Sequence, residues 1–343
     1  MKKLLVLALV LAASFSVFAG GSSESSAADD GTIKIALIIE NTIDDKGWCQ
    51  SMHDGITQAI AAMPDKKIEY RYSEKMLPVD AGSMARQYVA EGFDLIIAHG
   101  AQYKNLVLEI AEEYPDVSFA FGTSSEIGPD NVFTYMPESE ETGYLNGMIA
   151  GTVTEDNIVG VVGPVDSGDS ARYNRGFVLG VQAVNPDAKI LVAHSGSFSD
   201  YVKASEVAQS QLASGADVLT GSSQQAIGAL RATAESPIAM WVGQDTAQLT
   251  TEEGKAKCIA ACAYNYAAVV VDLVNKIESG VKGGECIPMN FANGGFVFEY
   301  NPDLEAEWVT PELKAAVQEA MDSFIADPDG TLANWADVDY STL

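Results

Sequence analysis

The amino-acid sequence predicts an α/β protein made of two doubly wound, mainly parallel sheets. Three observations carry that reading. Short apolar runs alternate with helix-period segments from residue 33 onward. The runs are continuously apolar, which suits strands covered on both faces. The pattern passes through five strands, restarts near Asn157 and gives about four more. Allowing for a leader, about 310 residues remain, too many for one ordinary core, so two domains are expected.

In the first half the strands are "KIALIIE" (34–40), "IEYRYSE" (68–74), "DLIIAHG" (94–100), "VSFAFGT" (117–123) and "NVFTYMP" (131–137). The second half has "NIVGVVGP" (157–164), "AKILVAHSG" (188–196), "ADVLTGSS" (216–223) and "PIAMWVGQ" (237–244), with shorter strands at 257–263 and 296–300. Helices fill the intervals. Trp48, Met52, Ile56, Ile60 and Met63 fall on one face of the first. "SMARQYVAEG" ends on Gly92 as a C-cap, and "YKNLVLEIAEEYP" stops before Pro115. "ETGYLNGMIAGTV", "RYNRGFVLGVQAVNP", "KASEVAQSQLASG", "NYAAVVVDLVNKIESG" and "TPELKAAVQEAMDSFIADP" continue the alternation.

The chain opens on "MKKLLVLALVLAASFSVFAGG". Two lysines, an apolar stretch over 4–13 and the small-x-small pattern ending at Ala19 read as a secretory signal peptide, 1–19. Residues 20–32 read as a flexible lead-in. Glycines stand where a lipid-anchored protein would need a cysteine, so a soluble extracytoplasmic protein is expected. Formal charge is −28, or −30 once Lys2 and Lys3 are removed with the leader. Such a surface repels nucleic acid, anionic lipid and phosphorylated ligands; acidity also simply keeps an exported protein soluble. Of the four cysteines, Cys258 and Cys262 sit in an apolar run and are expected as buried thiols. A Cys262–Cys286 bridge is open. No metal spacing is present, and neither a metal nor a cofactor is expected.

In doubly wound sheets, ligands bind beyond the carboxyl ends of the strands. Those ends carry Asp44, Asp45, Trp48 and Cys49 after the first strand, Gln102 and Tyr103 after the third, Phe198, Asp200 and Tyr201 after "ILVAHSG", Gln224 and Gln225 after "DVLTGSS", and Asp245 after "AMWVGQ". Aromatic faces suit a flat ring, and Asp or Gln suits ring N–H and sugar hydroxyls. Plainer readings stand beside these: Asp44 or Asp45 as a helix N-cap, Trp48 as the first core residue of its helix, Asp245 as another cap. No phosphate-binding glycine loop, nucleophile elbow or Ser-His-Asp arrangement is found. No catalytic residue is assigned.

The segment "IDDKGWCQSMHDGI" resembles the D-D-K-S-F-N-Q-S-x-x-x-G segment of the basic membrane protein family, substrate-binding subunits of ABC importers related to purine nucleoside receptors. "TGYLNGMIAG", "VGVVGP", "RYNRGFVLGVQAVNP", "GSFSDYVKASEVAQSQLASGADVL" and "WVGQD" recur there in the same order, so the resemblance covers residues 33–298. It implies a periplasmic-binding-protein-like type I fold whose lobes are joined by a three-strand hinge. Crossings are expected near Thr123, Ala261 and Gly284, giving one lobe of 33–123 plus 262–284 and another of 124–261 plus 285–343. By position, the family's first-loop acid falls on Asp45, with Asp44 beside it, and its stacking ring on Trp48. Its aromatic after the third strand falls on Gln102 or Tyr103, a second ring and acid on Phe198 and Asp200, and its ribose-binding acid on Asp245. Cys49 stands where the family has a base-contacting Asn, and Tyr264 where it has a Lys. These two departures leave open a purine nucleoside, a free base or a related heterocycle. The implied protein is a monomer that clamps its ligand between Trp48 of one lobe and Phe198 of the other, with Gln102, Tyr103 and Tyr264 on the first lobe, and hands it to a membrane permease and its ATPase. A sugar- or autoinducer-type binding protein shares this fold and is the alternative. A nucleoside hydrolase is a third reading. A transcriptional regulator would need a helix-turn-helix where the leader stands.

Overall fold

The computed structural model describes residues 31–343, so the leader and nearly all of the lead-in lie outside the described residues. Two six-stranded sheets follow. The first holds β1 (Thr32–Ile38), β2 (Lys67–Ser73), β3 (Leu95–Ala98), β4 (Ser118–Gly122), β5 (Val132–Pro137) and β11 (Glu285–Met289). They lie in the order β11-β5-β4-β3-β1-β2, every pair parallel. The second holds β6 (Ile158–Gly163), β7 (Lys189–His194), β8 (Val218–Gly221), β9 (Met240–Gly243), β10 (Cys258–Tyr264) and β12 (Phe296–Tyr300), in the order β12-β10-β9-β8-β6-β7. Only the edge strand β12 runs antiparallel, against β10. This is the doubly wound, two-lobed architecture that the apolar runs predict.

Helices cover both faces of each sheet, which is why central strands such as β3 (LIIA) are buried throughout. On the first sheet, α1 (Trp48–Ala62) and α9 (Tyr266–Glu278) pack on one face, and α2 (Pro78–Ala90) and α3 (Lys104–Glu113) on the other. On the second, α4 (Glu140–Val153), α5 (Gly168–Val184) and α11 (Pro311–Ala326) build one core, and α6 (Tyr201–Ala213) and α7 (Ala226–Glu235) the other. Two short helices, α8 (Glu252–Lys257) and α10 (Glu305–Trp308), complete the set. The "TGYLNGMIAG" stretch explains itself here. Gly143 and Gly147 of α4 lie against the carbonyls of Tyr173 and Phe177 on α5, where an added Cβ would stand 2.1 Å from each oxygen. That repeat is a helix-packing stripe.

The chain changes sheets three times, later each time than the sequence suggests. It leaves the first sheet after Pro137, returns after Tyr264 and leaves again after Met289. Residues 132–137 and 285–289 thus belong with the first lobe, and Tyr264 is the last residue of a second-lobe strand. The physical reasons are local. Residues 123–131, between the parallel neighbours β4 and β5, are too few for a crossover helix and break the expected alternation. Strand β11 (ECIPM) contains Pro288, which reads as a strand breaker yet is tolerated on this sheet edge. The crossings are stitched together. Glu138 N donates to Met289 O at 2.8 Å, Asn290 Nδ2 to Glu138 Oε2 at 2.9 Å and Asn265 N to Gly295 O at 2.8 Å.

All four cysteines are free; Cys49, Cys258 and Cys262 are buried and Cys286 half-buried. Cys262 lies in the second sheet and Cys286 in the first. Among the described residues no helix is long and apolar enough to cross a membrane.

Candidate ligand crevice between the two sheets

The loops leaving the carboxyl ends of the two sheets meet. Asn41 Nδ2 donates to Tyr201 OH at 3.0 Å, and Gln224 Nε2 to Glu40 Oε1 at 2.9 Å. Ser51 Oγ donates to Asp245 Oδ2. Gly47 lies so close to Gln224 that an added Cβ would stand 3.0 Å from its Cα. Lys46, Thr123 and Ser223 hold φ of 58°, 58° and 60° in these loops, a costly conformation for non-glycine residues that functional loops commonly store.

The first loop is organised by Asp45. Its carboxylate accepts from the backbone N–H of Gly47 at 3.0 Å, Cys49 at 3.3 Å and Gln50 at 3.0 Å, the orphan donors at the start of α1. Burial raises its pKa, and those three N–H groups pull it back. Asp45 is therefore a helix cap, as the plainer reading has it, while Asp44 is exposed. Cys49 is fully buried beside Asp45, and burial pushes its thiol pKa up.

Trp48 is 9% exposed and packs in the first-lobe core. The His99 ring stacks on it, 4.2 Å between centroids and 10° from parallel, and Tyr264 and Tyr266 meet it edge-on at 5.3 and 5.7 Å. Trp48 Nε1 donates to His99 O at 3.3 Å, and His99 Nε2 lies 3.1 Å from Trp48 O. Full burial lowers the His99 pKa to about 3, so the ring is neutral, with Nε2–H donating to that carbonyl and Nδ1 accepting from Tyr135 OH at 2.6 Å. The stacked His99 ring closes one face of Trp48 to any ligand. Phe198 is 41% exposed and stands outside the rings that touch Trp48. Its carbonyl is held by Gln225 N at 2.9 Å and Ser223 Oγ at 3.2 Å.

Other expected site residues divide in the same way. Gln102 is exposed and donates to Glu40 Oε2 at 3.0 Å, joining the loop after β3 to the loop after β1. Tyr103 is buried and its hydroxyl donates to Met76 O at 2.5 Å, so its polar end is spent inside the first lobe. Asp200 caps α6 by accepting from Lys203 N at 2.9 Å. Asp245 accepts from Ala247 N at 2.9 Å and from Ser51 across the crevice. Burial, reinforced by the charges of Asp45 and Asp54, pushes its pKa up to about 7 against those two hydrogen bonds. Tyr264 OH donates to Asp169 Oδ2 at 2.7 Å and accepts from Gln244 Nε2 at 2.8 Å. A cavity of about 370 Å³ opens beside Asp245 and Tyr264, between Ser51 and Asp54 of α1 and Glu299 of β12.

Sequence reasoning passed over Glu40, Ser51, His99, Asp169 and Gln244. Glu40 had a signal, an acid closing an apolar strand at its carboxyl end. It is half-buried, and burial raises its pKa against the hydrogen bond from Gln224. Asp169 is buried with its pKa likewise raised by burial and relieved by Tyr264. The arrangement joins rings and carboxylates from two lobes; it presents acceptors for N–H and O–H groups.

Comparison with known proteins identifies the family and the fold. Residues 32–329 match the family model Bmp, described as ABC transporter substrate-binding protein PnrA-like. The chain is 25% identical to the ABC transporter nucleoside-binding protein BmpA of Lactococcus lactis subsp. cremoris over 346 aligned positions, covering 94% of this chain and 97% of that one. It is 26% identical to a purine-binding protein of Brucella abortus over 189 positions, 55% of this chain and 53% of that one. Among solved structures, an ABC transporter solute-binding protein from Conexibacter woesei superposes with a TM-score of 0.73 at 23% identity, covering 88% of this chain and 99% of that one. That likeness is one of fold, the periplasmic-binding-protein-like type I fold. With a family match that spans both sheets and all three crossings, the chain belongs to the Bmp family of PnrA-like ABC transporter substrate-binding proteins.

Proposed function

We propose that this protein is the extracytoplasmic receptor of an ABC importer, binding a purine nucleoside or nucleobase between its lobes and delivering it to a membrane permease without chemical change. The observation that carries the reading is the meeting of both sheets' carboxyl-end loops, bonded across the crevice by Glu40–Gln224, Asn41–Tyr201 and Ser51–Asp245. The nucleoside- and purine-binding relatives supply the ligand class. The local chemistry supports it. Glu40 and Asp245 accept hydrogen bonds across the crevice, and these carboxylates disfavour a phosphate there. Phe198 offers an accessible ring. Stacking on an aromatic contributes ~1–3 kcal/mol per base.

Thermal shift with adenosine, guanosine, inosine, adenine, adenosine monophosphate, ribose, glucose and galactose tests the reading. A hundredfold excess over Kd stabilises by about 2.7 kcal/mol, so a nucleoside or base is expected to raise Tm by several degrees and the monophosphate not to. A rise with a sugar alone moves the protein to the sugar-binding class. Conversion of nucleoside to base on incubation, read by mass spectrometry, makes it a hydrolase.

A further inference from the structure

The family match stops at residue 329, and the chain continues for another fourteen residues, 330–343, that fold back onto α5. Two aromatic side chains fasten this segment. Trp335 lies over the Arg172 guanidinium, 4.8 Å from it, and Tyr340 over that of Arg175, at 4.9 Å. Arg175 Nε also donates to Val338 O at 3.3 Å. Arg172 and Arg175 are three apart on α5 and share one face of it.

Each arginine also pairs with a carboxylate, Arg172 at the start of α4 beside the first crossing and Arg175 in a loop of its own lobe. Arg172 binds both oxygens of Glu140 and lies 3.7 Å from Glu138, at the first crossing. Glu138 accepts from Asn290 at 2.9 Å and Glu141 from Phe291 N at 2.8 Å, both at the third crossing. Arg175 pairs with both oxygens of Asp166, one at 2.8 Å, in the loop that leaves β6 toward the crevice. The ring of Tyr340 also stands 6.0 Å from that of His194, the last residue of β7. Between the hinge carboxylates and residues 328–335 a cavity of about 240 Å³ remains, room for the crossing to shift.

We propose that residues 330–343 are a strap that braces the hinge. By clamping Arg172 against Glu138 and Glu140, it holds the first and third crossings in the arrangement that brings the lobes together. By clamping Arg175 against Asp166, it anchors the segment on the second lobe. Arg172 is a positioning residue in this scheme and touches no ligand. The strap sets how much of the time the lobes are closed, whatever ligand the crevice takes.

Hydrogen–deuterium exchange on the full chain without added ligand tests this directly. In a Trp335→Ala/Tyr340→Ala variant, peptides covering 138–141 and 290–295 should exchange on the order of tenfold faster, the combined effect of two cation–π contacts. A control peptide over 78–98 in the first lobe should be unchanged. Trp335→Phe/Tyr340→Phe, which keeps both ring faces, should exchange within about twofold of the parent. Unchanged hinge exchange in the alanine variant overturns the proposal. So does an equal rise in hinge and control peptides, because the segment then acts as general packing.

Discussion

Asp45 and Asp245 both lie beyond strand ends that face the crevice, one in each lobe, yet they spend their oxygens differently. Each follows the carboxyl end of a strand, β1 or β9, and each is buried. Asp45 is met by three backbone N–H groups of its own helix start. Asp245 has one such local bond, from Ala247, and gives its other oxygen to Ser51 of the opposite lobe. The first acid builds its lobe; the second senses where the other lobe stands. A carboxylate at a strand end is therefore not one kind of residue. Its role follows from how many donors its own chain supplies.

The largest expected effect that sharpens this contrast is a pH dependence. Burial raises the Asp245 pKa from 3.8 to about 7. The folded protein then binds more protons than the unfolded chain between those values, so stability is highest below that window and falls as pH rises through it. The full rise corresponds to about 4 kcal/mol. Glu141, raised by burial to about 8, contributes in the same direction, so the test is a difference. Asp245→Asn should flatten the slope of unfolding free energy between about pH 4 and 7 relative to the parent. An identical slope would mean that Asp245 is solvated.

Asp45→Ala comes next. It strips a cap and leaves N–H groups unpaired in a buried place, expected to cost about 2–3 kcal/mol in chemical denaturation. A cost under about 0.5 kcal/mol would break the assignment of Asp45 as a cap. Ser51→Ala should cost less, about 1 kcal/mol. Because the Ser51 hydrogen bond holds the Asp245 pKa down, its loss should raise that pKa further, read from the pH midpoint of the Asp245-dependent slope. A midpoint that stays in place would show that the cross-crevice bond does not form. Phe198→Ala should be the smallest of the four in stability, within about 0.5 kcal/mol, since the ring is exposed. Its expected consequence falls on ligand affinity instead.

The fold was legible because its signals are local. Short apolar runs such as "LIIA" between turn signals fit covered strands, and the Trp48-Met52-Ile56 spacing marks a helix face. The crossings were less legible: β5 lacks a crossover helix before it, and β11 carries Pro288. That Trp48 opens the face of α1 could be read, but not the His99 ring stacked on it, because nothing local joins residues so far apart. Likewise Asn41 finds Tyr201 160 positions away and Glu40 finds Gln224 184 away. Such pairs are decided by how two lobes meet. The strap escaped notice for a different reason: Trp335 and Tyr340 follow the last helix in a polar stretch and become meaningful only once Arg172 and Arg175 lie beneath them.

Calorimetric titration of adenosine, inosine and guanosine into the parent and into Phe198→Ala tests most directly whether the crevice is a nucleoside clamp. The account predicts binding by the parent at micromolar Kd or tighter, about −8 kcal/mol, and at least tenfold weaker binding by the variant. Equal affinities in the two proteins, or no heat from any nucleoside while a sugar binds, would contradict it.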